Sequence, residues 1–240
     1  ARGELAIWVA SDNADWQRDD LRTRPQLYNL DCAAYESVLL GLFSVWRGDY
    51  RAEPQTKKWR ELRDLGRPKQ NAVFIGYSRD GFHWSRPDRR EFFPVSERAG
   101  DWNWGNVQST NGCLVVGDRI YFYVSGRAGR SFPRCDFPDA GGSTGLATLR
   151  RDGFASMEAG PEEGSLTTRP VRFAGRFLFV NAACARGELR AEVSDERGRV
   201  IPEFRKEACR GVSADSTRAL IAWDTATDLS SLAGKTVRFR

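Results

Sequence analysis

The chain has 240 residues, of which 40% are hydrophobic and 12% aromatic, and its formal net charge is +5. This length and apolar content are enough to bury a core, which excludes a disordered chain. The 37 basic residues are scattered among 32 acidic residues and accompany no nucleic-acid-binding motif, so we expect no nucleic-acid partner.

The first predicted elements in chain order are β-strands. The apolar run at residues 38–46 predicts a buried strand, and it is far shorter than the roughly 20 residues of a membrane span, so we expect no membrane partner. Residues 56–65 predict a short helix within a loop. Further apolar runs at 72–77, 112–116 and 119–124, separated by Gly, Asp and Asn turns, predict more strands.

The turn "SRDGFHW" at residues 78–84 is interpreted as structural. Asp80 is expected to cap the turn, Gly81 to adopt a positive φ and Trp84 to anchor the turn against a strand. The sequence Asp-Gly-Phe recurs 72 residues later without a histidine, so His83 is not expected to be catalytic.

The same 72-residue offset relates "YES" to "VQS", and so pairs Glu36 with Gln108. A repeat of about 70 β-rich residues is longer than the usual propeller repeat but fits a four-stranded propeller blade with long loops. The sequence therefore predicts two repeated β units in register.

The pattern of residues along the sequence changes near residue 160. The glycine-rich stretch 139–145 predicts a flexible loop between strands, because it lacks the lysine of a phosphate-binding loop. The segment "EAGPEEGSL" is typical of a linker, so we predict one domain at 1–160 and a β-sandwich at 161–240. The predicted strands of the second domain are 168–173, 176–181, 188–193, 218–223 and 236–240. Because the last of these is the end of the chain, we expect a piece of a longer protein.

The cysteines do not indicate a metal centre. None of the five has CxxC spacing and only one histidine is present, so we expect no metal and no cofactor. Their odd number leaves the redox compartment, and with it the localisation, open.

Several segments together resemble one family. They are "PQLYNLDCAAYES", "YSRDGFHWSRP", "GDWNWGNVQS", "IYFYVSGRAG" and "GLATLRRDGFASMEAGPEEGSLTTRPVRFAGRFLFVN". The family is the five-bladed β-propeller glycoside hydrolases of the invertase and arabinanase type, in particular bacterial relatives with a β-sandwich after the propeller. The resemblance implies an all-β chain, with a partial five-bladed β-propeller followed by a C-terminal β-sandwich. It also implies a carbohydrate-active protein that acts on an oligosaccharide or glycoside.

Glu36 is the candidate general acid, because its placement resembles that of the acid glutamate of the family. A glycosidase needs one protonated carboxyl group and one ionised carboxylate on opposite sides of the scissile bond. Asp31 is the candidate second carboxylate, and Tyr35 is a predicted substrate contact. The alternatives are a salt-bridged glutamate at a strand end and a turn-capping aspartate.

The other candidate substrate contacts lie in two later segments. Trp102 and Trp104 offer aromatic faces on which a sugar ring stacks, and Asn106 and Gln108 offer amides for its hydroxyl groups. The alternative is that the tryptophans pack between blades. Arg127, at a strand end between glycines, is expected to hold a hydroxyl or carboxylate.

Two other functions stay open from the sequence. A non-catalytic glycan-binding propeller would keep the aromatic and amide contacts without needing an acid. A structural or protein-binding propeller would need neither.

Overall fold

The computed structural model describes residues 7–17, 24–48, 69–98, 100–109, 111–128 and 141–240. Within these ranges the chain is all-β, with twelve strands and three short 3-10 helices, which confirms the predicted fold class at that level. No helix in this part of the chain has the length and apolar character needed to cross a bilayer. Seven strands share the first sheet: β1 (Gln26–Tyr35), β2 (Val38–Gly48), β3 (Lys69–Ser78), β4 (Asn106–Ser109), β5 (Leu114–Val116), β6 (Arg119–Arg127) and β7 (Gly142–Arg150).

Strands β1, β2 and β3 form an antiparallel group that we call the first meander. Its central strand, β2, carries apolar residues at successive positions, and Leu42 and Phe43 are both buried although they point to opposite faces. Glu36 and Ser37 form the two-residue turn between β1 and β2.

The second meander consists of β4 and β5, which both pair with β6, and of β7, which pairs with β6 on its other edge. The residues of β6 alternate strictly, since Ile120, Phe122 and Val124 are buried while the residues between them are more accessible. A single parallel pair, Asn71 with Asn106, joins β3 to β4.

The structure confirms the predicted strands at 72–77, 119–124 and 236–240 and corrects two other expectations. The 72-residue offset relates the end of β3 to the end of β7, but it does not relate Glu36 to Gln108, because Glu36 lies in a turn and Gln108 lies within β4. The prediction of a flexible glycine-rich loop at 139–145 is wrong from residue 142 onward, where β7 begins. The helix predicted at 56–65 lies outside the described residues.

The turn after β3 has the predicted structural role. One carboxylate oxygen of Asp80 accepts the backbone N–H groups of Phe82 and His83, both at 2.8 Å. Gly81 has a φ of 78°, and the ring of Trp84 packs edge-on against Phe43 with a centroid distance of 5.6 Å. A glycine is required at position 81 because a side chain at this φ would be strained.

The chain divides into two compact units, one with Ala1–Val116 and Ile120–Thr148 and the other with Gly117–Arg119 and Leu149–Arg240. Two small sheets in the second unit, ordered β10-β12-β8 and β11-β9, share one apolar core around Phe204 and Trp223. The predicted domain boundary near residue 160 stays a prediction. The strands of the second unit are β8 (Val171–Arg172), β9 (Leu178–Ala183), β10 (Val193–Asp195), β11 (Asp215–Ile221) and β12 (Thr236–Phe239).

Candidate functional site

Three of the predicted contact residues share one face of the second meander. In the antiparallel pairing of β4 with β6, Asn106 lies opposite Arg127 and Gln108 lies opposite Ser125. Directly opposed residues point to the same side of a sheet, as do residues two apart along a strand. We call Asn106, Gln108, Tyr123, Ser125 and Arg127 the β4–β6 polar face.

Arg127 is held in place by its own strand. Its Nη1 donates to the hydroxyl of Ser125 and, at 3.0 Å, to the backbone oxygen of Gly126. The described part of the chain offers no bond to Nε or Nη2, and no carboxylate there pairs with this guanidinium. The facing residue on β7 is Gly142, so no side chain covers Arg127 from that strand.

Asn106 is fixed from the neighbouring strand by Asn71, a residue that the sequence reasoning did not select. The Nδ2 of Asn71 donates to the backbone oxygen of Val107 at 3.0 Å and approaches Oδ1 of Asn106 at 3.5 Å. Asn71 is only 4% exposed, and its Oδ1 has no partner among the described residues. Asn71 therefore positions β4 and the amide of Asn106.

Tyr123 is the aromatic residue of this face, and the sequence reasoning also missed it. It lies two residues before Ser125 on β6 and its side chain is 50% exposed. The available signal was the alternation in "RIYFYVSGR", where the apolar residues occupy every second position and leave Tyr123 on the other face. Gln108 is half-buried nearby, and its amide makes no bond to the described residues.

Trp102 lies on the opposite face of the second meander. A Cβ placed on Gly126 would be 2.5 Å from its ring, and one placed on Gly145 would be 2.6 Å from it. Because Gly126 alternates with Arg127, this ring does not join the β4–β6 polar face. Trp104, half-buried, forms an isolated backbone bridge with Ser96.

Asp31 is also separated from the polar face. Its carboxylate accepts a hydrogen bond from the hydroxyl of Ser109, which the curvature of the sheet brings to β1. Ser109 pairs with Val124 and therefore points to the side of β4 away from Gln108.

Glu36 and Tyr35 lie at the hairpin end of the first meander. Glu36 is exposed and has a φ of 50°, whereas Tyr35 is buried as the last residue of β1. Glu36 lies five residue steps along the chain from Asp31, an extended span of about 16 Å between their backbones. The paired carboxyl groups of glycosidases lie roughly 5–10 Å apart, so these two residues are poorly placed as such a pair.

A cavity of about 350 Å³ lies beside this hairpin, and Arg79 Nη1 donates to the backbone oxygen of Ser37 at 3.4 Å. Nδ1 of His83 is 2.7 Å from Asp80 Oδ2. The backbone N–H of His83, then its ring and the N–H of Phe82, hold the pKa of Asp80 well below its usual range. The cavity is lined by Val38, Tyr77, Ser78, Arg79, Asp80, His83 and Ser85.

Among the described residues, no group of three or more His, Cys, Asp or Glu side chains is arranged to hold a metal ion. No protein-family model, curated protein or solved structure matches the chain.

Proposed function

We propose that this chain binds an oligosaccharide or glycoside on the β4–β6 polar face. The observation that carries the proposal is the grouping of an exposed aromatic ring, an amide and a guanidinium on one accessible face, at Tyr123, Gln108 and Arg127. An aromatic ring packs against the C–H face of a sugar, while amides and guanidinium groups bind its hydroxyl groups. Binding of this kind needs no acid.

The test is a glycan array followed by calorimetry on the best ligand. Tyr123→Ala is expected to weaken binding about threefold to tenfold, because a stacked aromatic contributes roughly 0.5–1.5 kcal/mol. Gln108→Leu is expected to weaken it further by leaving a sugar hydroxyl without its partner. Tyr28→Ala is the matched control, since Tyr28 is a comparably exposed tyrosine on β1. An equal loss in the Tyr28 variant, or no glycan bound by the parent chain, would contradict the proposal.

We propose hydrolysis of glycosidic bonds, with Glu36 as the general acid, as a second function. A specific observation favours it: Glu36 keeps a positive φ, which is costly for a side chain of this size, next to a cavity that contains Asp80. In this proposal Asp80, whose pKa is lowered, supplies the ionised carboxylate.

Hydrolysis is tested with a panel of nitrophenyl glycosides. Glu36→Gln is expected to reduce turnover about 100-fold or more, because it removes the proton donor but keeps the shape. Glu97→Gln, an exposed glutamate elsewhere in the first unit, is the control. Unchanged turnover in Glu36→Gln would eliminate the acid role.

We also propose that the two meanders are consecutive blades of a five-bladed β-propeller of the glycoside hydrolase superfamily, and that residues 161–240 form a β-sandwich. Both meanders run through three neighbouring strands in sequence, and a similar turn follows β3 and β7, which supports the blade assignment. The common core of the two small sheets supports a sandwich. A crystal structure in which β1 and β7 pair to close one barrel would contradict the blades.

A further inference from the structure

We infer that the sugar bound on the β4–β6 polar face carries a carboxylate, as a uronic acid does, and that Arg127 selects it. The inference rests on the proposed glycan-binding function and names its ligand class. It depends on which nitrogen atoms of Arg127 form hydrogen bonds with the described residues, and on the fact that none of those residues places a carboxylate against it.

Within the part of the chain that the structure describes, the hydrogen bonds of Arg127 leave one complete edge of its guanidinium without a partner. Both bonds come from Nη1, to Ser125 and Gly126, and they fix the plane of the group. The remaining donors, Nε and Nη2, form the side-on pair that binds both oxygens of a carboxylate. A hydroxyl group can accept from only one of them at a time.

Among the described residues, the charge of Arg127 also has no carboxylate partner of the kind that other arginines of the same unit have. Arg86 pairs with both oxygens of Asp15, and Arg89 contacts Asp12 and Asp15. Arg127 is half-buried, yet the described residues place no carboxylate within salt-bridge distance of it. A partly desolvated cation gains most from an anionic ligand, because a neutral ligand leaves its charge unbalanced.

The residue of β7 beside Arg127 carries no side chain, and two residues on the same face offer partners for a sugar ring and its hydroxyl groups. Gly142 faces Arg127, and even an added Cβ at that position would be 3.4 Å from Nη1, in ordinary contact. Gln108 and Tyr123 lie on the same face and are suited to bind hydroxyl groups and the ring. The geometry therefore favours a pyranose with its carboxylate at Arg127.

The experiment uses the full chain on an array of matched pairs, each a neutral hexose oligosaccharide and its uronic-acid counterpart of the same linkage. Calorimetry on the best pair then compares the parent chain with Arg127→Lys and Arg127→Met. Arg119→Met is the control, since it removes an equal charge from the other end of β6. Sodium glutarate serves as a carboxylate probe that is not a sugar.

We expect the parent chain to bind the uronate at least tenfold more tightly than its neutral partner. Arg127→Met should abolish this preference, Arg127→Lys should restore only part of it because lysine lacks the fork, and Arg119→Met should retain it. Equal binding of both members by the parent chain would overturn this inference but leave the proposed glycan-binding function standing. Binding of glutarate as tight as that of the uronate would also overturn it. If neither member binds, the proposed glycan-binding function fails as well.

Discussion

The two meanders differ in how their charged side chains are paired with groups of opposite charge. Against the first meander, Arg86 is 4% exposed and donates to both oxygens of Asp15, itself 3% exposed, at 2.7 and 2.8 Å. On the second meander, Nη1 of Arg127 donates its hydrogen bonds to residues of its own strand, and no carboxylate among the described residues pairs with Arg127. Buried charges that satisfy each other hold a structure together, whereas an accessible charge without a partner is available to a ligand. The buried pair beside the first meander therefore has a structural role, and the second meander carries the face for which we propose a binding role.

The largest effect is expected from breaking the buried pair. Asp15→Asn removes the buried carboxylate that binds Arg86 and leaves Arg86 only its longer contact with the half-exposed Asp12, which should lower the free energy of unfolding by about 3–5 kcal/mol in urea titrations. Arg127→Met should lower it by less than about 1 kcal/mol, because Arg127 forms no ion pair with any of the described residues. Asp88→Asn, which removes an exposed pair with Arg90, is the control for a surface charge. Similar losses in the Asp15 and Arg127 variants would remove the contrast between the regions.

A smaller effect is expected at the two hairpin turns. Glu36 with Ser37 joins β1 to β2, and Gly117 with Asp118 joins β5 to β6, so the turns hold corresponding places in the two meanders. Both have a positive φ at their first residue, 50° for Glu36 and 58° for Gly117. Glu36→Gly should raise the free energy of unfolding by up to about 1 kcal/mol, and Gly117→Ala should lower it by about 1 kcal/mol.

Thermal and urea unfolding of the two turn variants measure this difference. Glu36→Gln, which keeps the strain, is the matched control for the loss of charge. A Glu36→Gly variant that is less stable than Glu36→Gln would show that the glutamate makes a stabilising contact, and the turns would then no longer be comparable.

The smallest effect is expected from Asp12, which contacts Arg86 at the edge of the buried Arg86–Asp15 pair and whose contribution to stability depends on pH. The Arg89 guanidinium, helped by the N–H of Ala14, holds the pKa of Asp12 below its usual range. A lowered pKa in the folded chain means that ionised Asp12 stabilises the fold above the unfolded value of about 3.9, and that this contribution is lost as pH falls through the folded value. Because Asp12 is about half exposed, its contribution is small.

Urea titrations at pH 6 and at pH 3 measure this contribution. Asp12→Asn should lose less stability between the two values than the parent chain does. A parent chain whose unfolding midpoint is the same at both values would contradict the assignment, and so would an Asp12→Asn variant with the full acid loss.

Some of these features follow from the sequence and others depend on contacts between distant residues. The strand β6 and the turn at Asp80 were predictable, because alternation and Asp-Gly chemistry act over a few residues. The pairing of Glu36 with Gln108 failed because the connection between β2 and β3 is longer than that between β6 and β7, so one offset cannot hold throughout the repeat. In addition, "YES" has no glycine or asparagine to mark a turn.

The candidate site was predicted only in part for a similar reason. Asn106, Gln108 and Arg127 were selected for their chemistry, and strand pairing brings them to one face. Trp102 was assigned with them because it is near in sequence, yet the glycines that set its position are at 126 and 145. Asn71 was missed because its role is to bond a strand that begins 35 residues later.

The packing of Trp102 on two glycines also constrains how the sequence can vary. Gly126 and Gly145 are small because the indole occupies the space that a methyl group would need at either position. A related chain with a smaller residue at position 102 is free to carry alanine at 145, whereas one that keeps tryptophan is not. Positions 102 and 145 should therefore vary together among homologues, whereas position 126 should stay glycine, because a Cβ there would also lie 2.7 Å from the backbone oxygen of residue 102.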